Sequence, residues 1–416
     1  MAPARPTILQ IIPTLDTGGA ELSTVEIAHA IVAGGGRALV ATSGGRLAPR
    51  IIEAGGEIIP FPADTKNPAR MIANARSLAG LIRRENVDLV HARSRAPAWS
   101  AFSAARATKR PFVTTYHGAY SENGPLKRAY NSVMARGSPV IANSEFTASL
   151  IALRYGTPPG NIRIIHRGVD PSAFDPTTIP AARLDALRHY LGLAPGQPMI
   201  LHPARLTRWK GQPILIEALA LLGQHGDTPP AITVLAGSDQ GRAAYTGELR
   251  ALIRSHGLTA NVRLPGHLDD MPSALALASV TVIASTDPEA FGRTAIEAQM
   301  IGCPVIATRI GAPPETVLSA PEFPPEECTG WLIPPGDPAS LAAALSTALA
   351  LTPAGRHSLA TRARAHATAN FSLHAMKLAT LRVYDEVLNS RLADSFSASK
   401  MPHSLTPSTP VPPRPA

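Results

Sequence analysis

The chain is predicted to fold as two consecutive α/β domains of the doubly wound, Rossmann-like type. Three observations predict it. Short runs rich in Val, Ile and Leu alternate with stretches of helical length from residue 7 to about residue 390. That alternation argues for parallel sheets covered by helices on both faces. The pattern runs through twice, separated by a Pro-, Ala- and Thr-rich stretch over residues 171–197. A length of 416 residues also exceeds one ordinary core and suits two.

In the first half, residues 8–12 read as a buried strand, followed by a loop with Thr17, Gly18 and Gly19 and a helix over 21–32. Further strands are expected at 38–42, 57–60, 88–91, 111–115, 139–142 and 162–165, with helices between them, including 68–84 and 95–107. The break carries one helix, 182–191. The second half repeats the pattern with strands at 199–202, 231–236, 261–264, 280–284, 304–308 and 330–333, and helices at 212–222 and 242–255 among others. Helices over 341–349, 357–370 and 371–389 follow. The expected domains are therefore 1–175, completed by the helix at 371–390, and 176–370. The Ser- and Pro-rich tail, 391–416, is expected to be disordered.

Composition narrows the class. Hydrophobic residues make up 45%, ample for two cores, while aromatics are only 5% and alanine is abundant, which suggests close packing of helices on sheets. The longest apolar stretch, 274–284, is interrupted by Ser279 and Thr281 and is too short to span a bilayer. The N-terminus leads straight into a strand, with no apolar signal-peptide core, and Cys303 and Cys328 lack metal-ligand spacing, so a cytoplasmic setting is expected. The net charge of +9 lies entirely in the first half: residues 1–170 hold 20 Lys and Arg against 11 Asp and Glu. Such a half suits an anionic partner, such as a membrane surface, a phosphorylated glycolipid or nucleic acid, or else reflects a generally Arg-rich proteome. Residues 125–136, with Lys127, Arg128, Arg136 and the apolar Leu126, Tyr130, Val133 and Met134, could form a helix lying on an anionic membrane or simply a packed helix with a solvated face.

The stretch 288–308 concentrates the chemistry. A loop with Pro288 and Gly292 opens a helix from about Arg293 to Met300, ended by Gly302 and Pro304 before a strand begins. Glu289 in the loop and Glu297 in the helix flank a helix N-terminus, whose amides favour an anion. Two carboxylates beside such amides describe a sugar-nucleotide pocket. Arg205 and Lys210 follow the first strand of the second half. His117 and Gly118 follow a strand of the first half, as Gly18 and Gly19 follow its first strand. Open parallel sheets bind ligands outside the carboxyl ends of their strands. Ser144 is expected to cap the helix starting at Glu145.

Together, Glu289-x-Phe291-Gly292, Glu297 and Gly302-x-Pro304-Val305-Ile306-Ala307 resemble the Glu-x7-Glu signature of the retaining family 4 glycosyltransferases. The resemblance covers most of residues 7–390 and implies a GT-B fold, two Rossmann-like domains facing a cleft. It implies that Arg205 and Lys210 bind the donor diphosphate and that Glu297 holds the ribose. Glu289 and the amides of Phe291, Gly292 and Arg293 would hold the sugar or its phosphate. Gly18 and Gly19 would face the donor diphosphate and the acceptor, His117 the donor sugar, and the loop of His267 the base. Arg167 stands where the family usually has Asn in its Asn-Gly-Val-Asp turn, which adds a cation. The implied activity is metal-independent sugar transfer from a nucleotide-sugar to a glycan or lipid-linked acceptor. The basic half leans toward lipopolysaccharide or other cell-envelope synthesis, peripheral to the membrane. With no Asp-x-Asp motif and no His/Cys cluster, neither metal nor cofactor is expected. A glycosidase acid/base pair is disfavoured, since one carboxylate lies on a helix beside a phosphate-type turn. A sugar-nucleotide epimerase of the same fold stays open. So does a nucleotide- or nucleic-acid-binding protein, although no RNA-binding motif accompanies the basic runs and no nucleic-acid partner is expected.

Overall fold

The computed structural model describes residues 5–399 apart from 17, 66, 121, 123 and 225–230. It divides into two compact units, the first ending at Gly168 and resuming at Leu373, the second running Val169–Ser372. Among the described residues the first holds seven parallel strands: β1 (Thr7–Ile11), β2 (Arg37–Thr42), β3 (Glu57–Pro60), β4 (Leu89–Ala92), β5 (Phe112–Tyr116), β6 (Val140–Ala142) and β7 (Ile162–Ile164). Their spatial order is β3-β2-β1-β4-β5-β6-β7. The second holds β8 (Met199–Pro203), β9 (Ile232–Ala236), β10 (Val262–Gly266), β11 (Val280–Ile283), β12 (Val305–Thr308) and β13 (Trp331–Ile333), ordered β10-β9-β8-β11-β12-β13. Each sheet is doubly wound, and strand order reverses between β1 and β4 and between β8 and β11. Those two switch points are where such sheets bind ligands.

Strand side chains alternate between faces, so each strand feeds two cores. In the first unit Leu9, Ile11 and Leu39 pack under the helices Pro68–Arg84 and Arg95–Thr108. Ile8, Ile12 and Val40 pack under Gly19–Ala33 and Leu373–Leu388. In the second unit Met199 and Leu201 face one core and Ile200 the other. Small residues also serve between helices: Ala98, Ala101, Ala104 and Ala105 are buried on the helix Arg95–Thr108, which packs on Pro68–Arg84.

Three expectations are corrected. The units part after Gly168 rather than 175, because Val169 and Phe174 are buried in the second core. Phe371 also belongs there, and the helix completing the first unit starts at Leu373. The tail is not irregular from 391. Leu392–Ala398 is a helix whose Leu392, Ala393 and Phe396 are buried, and the Asp385 carboxylate accepts the amides of Leu392 (2.7 Å) and Ala393 (2.8 Å). The remainder of the tail lies outside the described residues. Lastly, 125–136 is not one helix. Pro125–Asn131 is followed by a 3₁₀ turn, and Val133 and Met134 are fully buried, so they cannot form a membrane-facing stripe with Leu126.

Candidate functional site

At the switch point of the second unit, the loops after β8 and β11 meet. The chain after β8 passes Arg205 and closes a 3₁₀ turn, Arg208–Lys210, ending on Gly211 at φ 74°. A Cβ at Gly211 would stand 1.8 Å from the Ala284 carbonyl, so only glycine lets these loops touch. The amide of Thr286 then donates to the Trp209 carbonyl at 2.8 Å, locking the two loops. The result places Lys210 Nζ on Glu289 Oε1, across 79 residues of sequence. Ser285 Oγ donates to the same oxygen at 2.5 Å. Glu289 itself is fixed by its backbone: its carbonyl accepts the Ala312 amide at 2.9 Å, in an isolated bridge opposite Gly311. Both partners of the pair are mostly buried, with side chains 17% and 11% exposed.

Arg205 lies five residues earlier and is exposed, and its guanidinium has no hydrogen-bond or ion-pair partner among the described residues. Its backbone is anchored instead, since the carbonyl accepts Gln212 Nε2 at 2.9 Å. Next to Glu289, Gly292 takes the left-handed conformation (φ 79°, ψ 47°) and starts the helix Arg293–Ile301 with no side-chain cap. Within that helix Arg293 Nε bonds Glu297 Oε1 at 2.9 Å. The ring of Phe291 is 4% exposed and packs edge-on against Phe371 at 5.7 Å, so its side chain anchors the loop. His267 is exposed and 3.4 Å from Asp269, on a loop pinned by buried Leu268. Behind the site, buried His202 donates from Nδ1 to the Val282 carbonyl at 2.8 Å. Burial pushes its pKa down to about 4, against the opposing pull of that carbonyl.

The first unit builds a separate cluster at its own switch point. Gly18 caps the helix Gly19–Ala33 at φ 154°, with no side-chain cap. A Cβ there would lie 2.4 Å from Glu21 Oε2. Thr17, singled out beside it, lies outside the described residues. Arg167 bonds the Gly19 carbonyl at 2.7 Å with one nitrogen and His117 Nδ1 at 2.6 Å with the other. Arg93, after β4, is 2% exposed and donates to Ser23 Oγ at 2.5 Å. Burial lowers its pKa to about 10. His91 sits beside it, between Tyr384 and Thr115, each at 2.7 Å. The His117 ring is held well below the usual histidine range by burial first and then by Arg167, Arg93 and His91. Its buried Nε2 has no hydrogen-bond partner among the described residues. Burying such a group unpaired costs about 1–3 kcal/mol. Ser144 caps its helix, accepting the Thr147 amide at 3.0 Å, as expected.

The structure thus groups Lys210, Glu289, Gly292, Arg293 and Glu297 around one pair of loops and one helix start, and Gly19 with His117 around Arg167. Sequence reasoning missed Ser285, Arg93 and the bracing role of Arg167. Ser285 and Arg93 were findable, because each lies within two residues of the end of a strand beside a switch point. Among the described residues no cluster of three or more His, Cys, Asp or Glu could hold a metal.

Comparison with known proteins places the chain in a family. Residues 17–173 match the family described as Glycosyltransferase Family 4, and residues 185–366 match Glycosyl transferases group 1. A glycosyltransferase structure from Rickettsia africae is 32% identical, superposes with a TM-score of 0.83, and is covered over 93% of this chain and 100% of its own. Anabaena HepE, solved with UDP and glucose, is 26% identical with a TM-score of 0.78, over 92% of this chain and all of that one. A D-inositol 3-phosphate glycosyltransferase of Jonesia denitrificans is 34% identical over 56% of this chain. That match spans about half (54%) of the relative's length. With both family matches, the paired parallel sheets and a relative matched over its whole length, the chain belongs to the family 4 glycosyltransferases and has the GT-B fold.

Proposed function

We propose that this enzyme is a retaining, metal-independent glycosyltransferase that takes a nucleotide-sugar on its second unit and delivers the sugar to an acceptor held by its first. The observation that carries the reading is the Lys210–Glu289–Ser285 cluster beside the uncapped start of helix Arg293–Ile301. It places a cation, an acceptor carboxylate and a helix N-terminus together, the set a sugar diphosphate needs. Exposed Arg205 would grip diphosphate oxygens in pairs, and Lys210 would add a point charge. Glu289 would receive sugar hydroxyls and Glu297 the ribose. As the glycosidic bond breaks, the cations and amides would take up the charge on the leaving diphosphate. Its oxygen would then take the proton of the attacking acceptor hydroxyl on the same face.

UDP-sugars are the first donors to test, because HepE was solved with UDP-glucose. For the acceptor, the basic first unit and the inositol 3-phosphate named in relatives favour a phosphorylated or lipid-linked glycan, as in envelope polysaccharide synthesis. Among the described residues no helix is long and apolar enough to cross a membrane. Peripheral contact from the cytoplasmic side remains part of the proposal, and its support is Leu126, 86% exposed beside exposed Lys127 and Arg128.

The test is thermal shift against UDP-, GDP-, ADP- and TDP-sugars, followed by transfer or donor hydrolysis with the stabilising donor and membrane lipid extract. One class should raise the melting temperature, and Glu297→Ala should reduce turnover at least about 10-fold, the loss of a charge-assisted hydrogen bond. No stabilisation by any donor, or activity indifferent to Glu297→Ala, would sink the reading. Conversion of the donor sugar without acceptor would point to an epimerase.

A further inference from the structure

Arg167 bridges His117 and the Gly19 carbonyl, and its geometry has a chemical consequence. A guanidinium carries only N–H donors and stays protonated. It lies 2.6 Å from His117 Nδ1, so that nitrogen must offer its lone pair. A neutral imidazole has one N–H, which must then sit on Nε2. We infer that Arg167 is a positioning residue that fixes His117 as the neutral Nε2–H tautomer, aiming a hydrogen-bond donor, and not a base, at an oxygen of the bound ligand.

Three further facts support the assignment. Arg167 is itself only 6% exposed and its other nitrogen is tied to the Gly19 carbonyl at 2.7 Å, so it cannot swing away without breaking both bonds. His117 Nε2 is buried and unpartnered among the described residues, which leaves its hydrogen for a ligand oxygen. The groups facing the ring are cationic or neutral: Arg167 from the loop after β7, His91 from β4 and Arg93 just after it, and the Tyr120 hydroxyl 3.5 Å from the His117 amide. Protonating Nδ1 would set two N–H donors against each other beside those cations. His117 therefore cannot take the acceptor's proton through Nε2, which already carries one.

This inference rests on the proposed function only for which oxygen His117 meets. The tautomer is a property of the unliganded chain and is tested without turnover. Long-range ¹H–¹⁵N NMR of the histidine rings, with His117 assigned by His117→Gln, should show a bare Nδ1 and a protonated Nε2 from pH 8 to pH 5. In Arg167→Gln the ring should gain a proton at higher pH than in the unsubstituted protein, moving back toward the ordinary histidine range, because one of the cations opposing its charge is gone. Arg167→Lys, which keeps a cation, should shift it less. A protonated Nδ1 in the unsubstituted protein, or the same midpoint with Arg167→Gln, overturns the inference. If neither Arg167 variant folds, the tautomer of the unsubstituted protein decides alone. Failure of every nucleotide-sugar to bind, with His117 in the stated form, would count against the proposed function and leave this inference standing.

Discussion

The Lys210–Glu289 pair yields the sharpest prediction, because its two members should respond oppositely. Lys210 Nζ is held on Glu289 Oε1, with both side chains mostly buried. A hydrogen bond between a charged lysine and a phosphate contributes about 1.5–3 kcal/mol. Lys210→Met should therefore weaken nucleoside diphosphate binding by roughly 10- to 150-fold. Glu289→Gln removes a carboxylate that competes with phosphate for the same ammonium. At a few ångströms and an effective dielectric near 20, that repulsion is on the order of a few kcal/mol before solvent and relaxation reduce it. A net gain of about 1 kcal/mol, roughly fivefold, is expected for the bare diphosphate. The same change should weaken the intact nucleotide-sugar, whose hydroxyls lose a charged acceptor. Isothermal titration with UDP and with UDP-sugar at fixed salt separates the effects. Melting curves guard against Lys210→Met failing through the carboxylate it leaves half-paired. Folded Lys210→Met binding UDP within twofold of the unsubstituted protein would refute the assignment. Equal weakening of UDP and UDP-sugar by Glu289→Gln would refute the division of roles.

Two further predictions address how the site is held. At Gly311, φ is 83° and a Cβ would stand 2.2 Å from the Glu289 carbonyl oxygen and 2.6 Å from its nitrogen. Gly311→Ala should cost about 2–4 kcal/mol from left-handed strain and loss of the backbone bridge, and should abolish detectable nucleotide binding in titration calorimetry. Gly336→Ala meets nothing within 4 Å at φ 70°, so it should show strain alone, and equal loss of binding in both would undo the reading. His202 titrates near 4 in the folded chain against about 6.5 when unfolded, so the unfolded state binds the extra proton as pH falls. Its stabilising contribution is full above about pH 6.5 and is lost toward pH 4, a fall of about 2 kcal/mol between pH 7 and pH 5. His202→Asn can keep the bond to Val282 without titrating, and urea unfolding at both pH values should show a pH dependence smaller by that amount. An unchanged dependence would show that His202 is not held neutral.

Much of the site was legible because parallel sheets put chemistry at strand ends. Arg205, Lys210, Glu289, His117, Gly18 and Gly19 all lie shortly after strands in the sequence, and the structure finds them there. What was not legible was their partners. Glu289 lies 79 residues from Lys210, and Arg167 lies 50 residues from His117 and 148 from Gly19. No local pattern encodes such pairings. The helix Leu392–Ala398 escaped for a related reason. It is short, its composition is that of a loop, and its first amides are satisfied by Asp385 from another helix.

The chain's sequence by itself determined the two doubly wound sheets, since strand alternation and helix periodicity are local and repeat along the chain. It also determined the residue types near each switch point. Only the tertiary structure decided that Lys210 is held by Glu289, that Val133 and Met134 are core, and that Arg167 braces His117. Those outcomes depend on which loops approach closely enough to exclude a Cβ, as at Gly211 and Gly311, and on which charges are then buried together. Both follow from packing in three dimensions, where residues far apart in sequence compete for the same few ångströms.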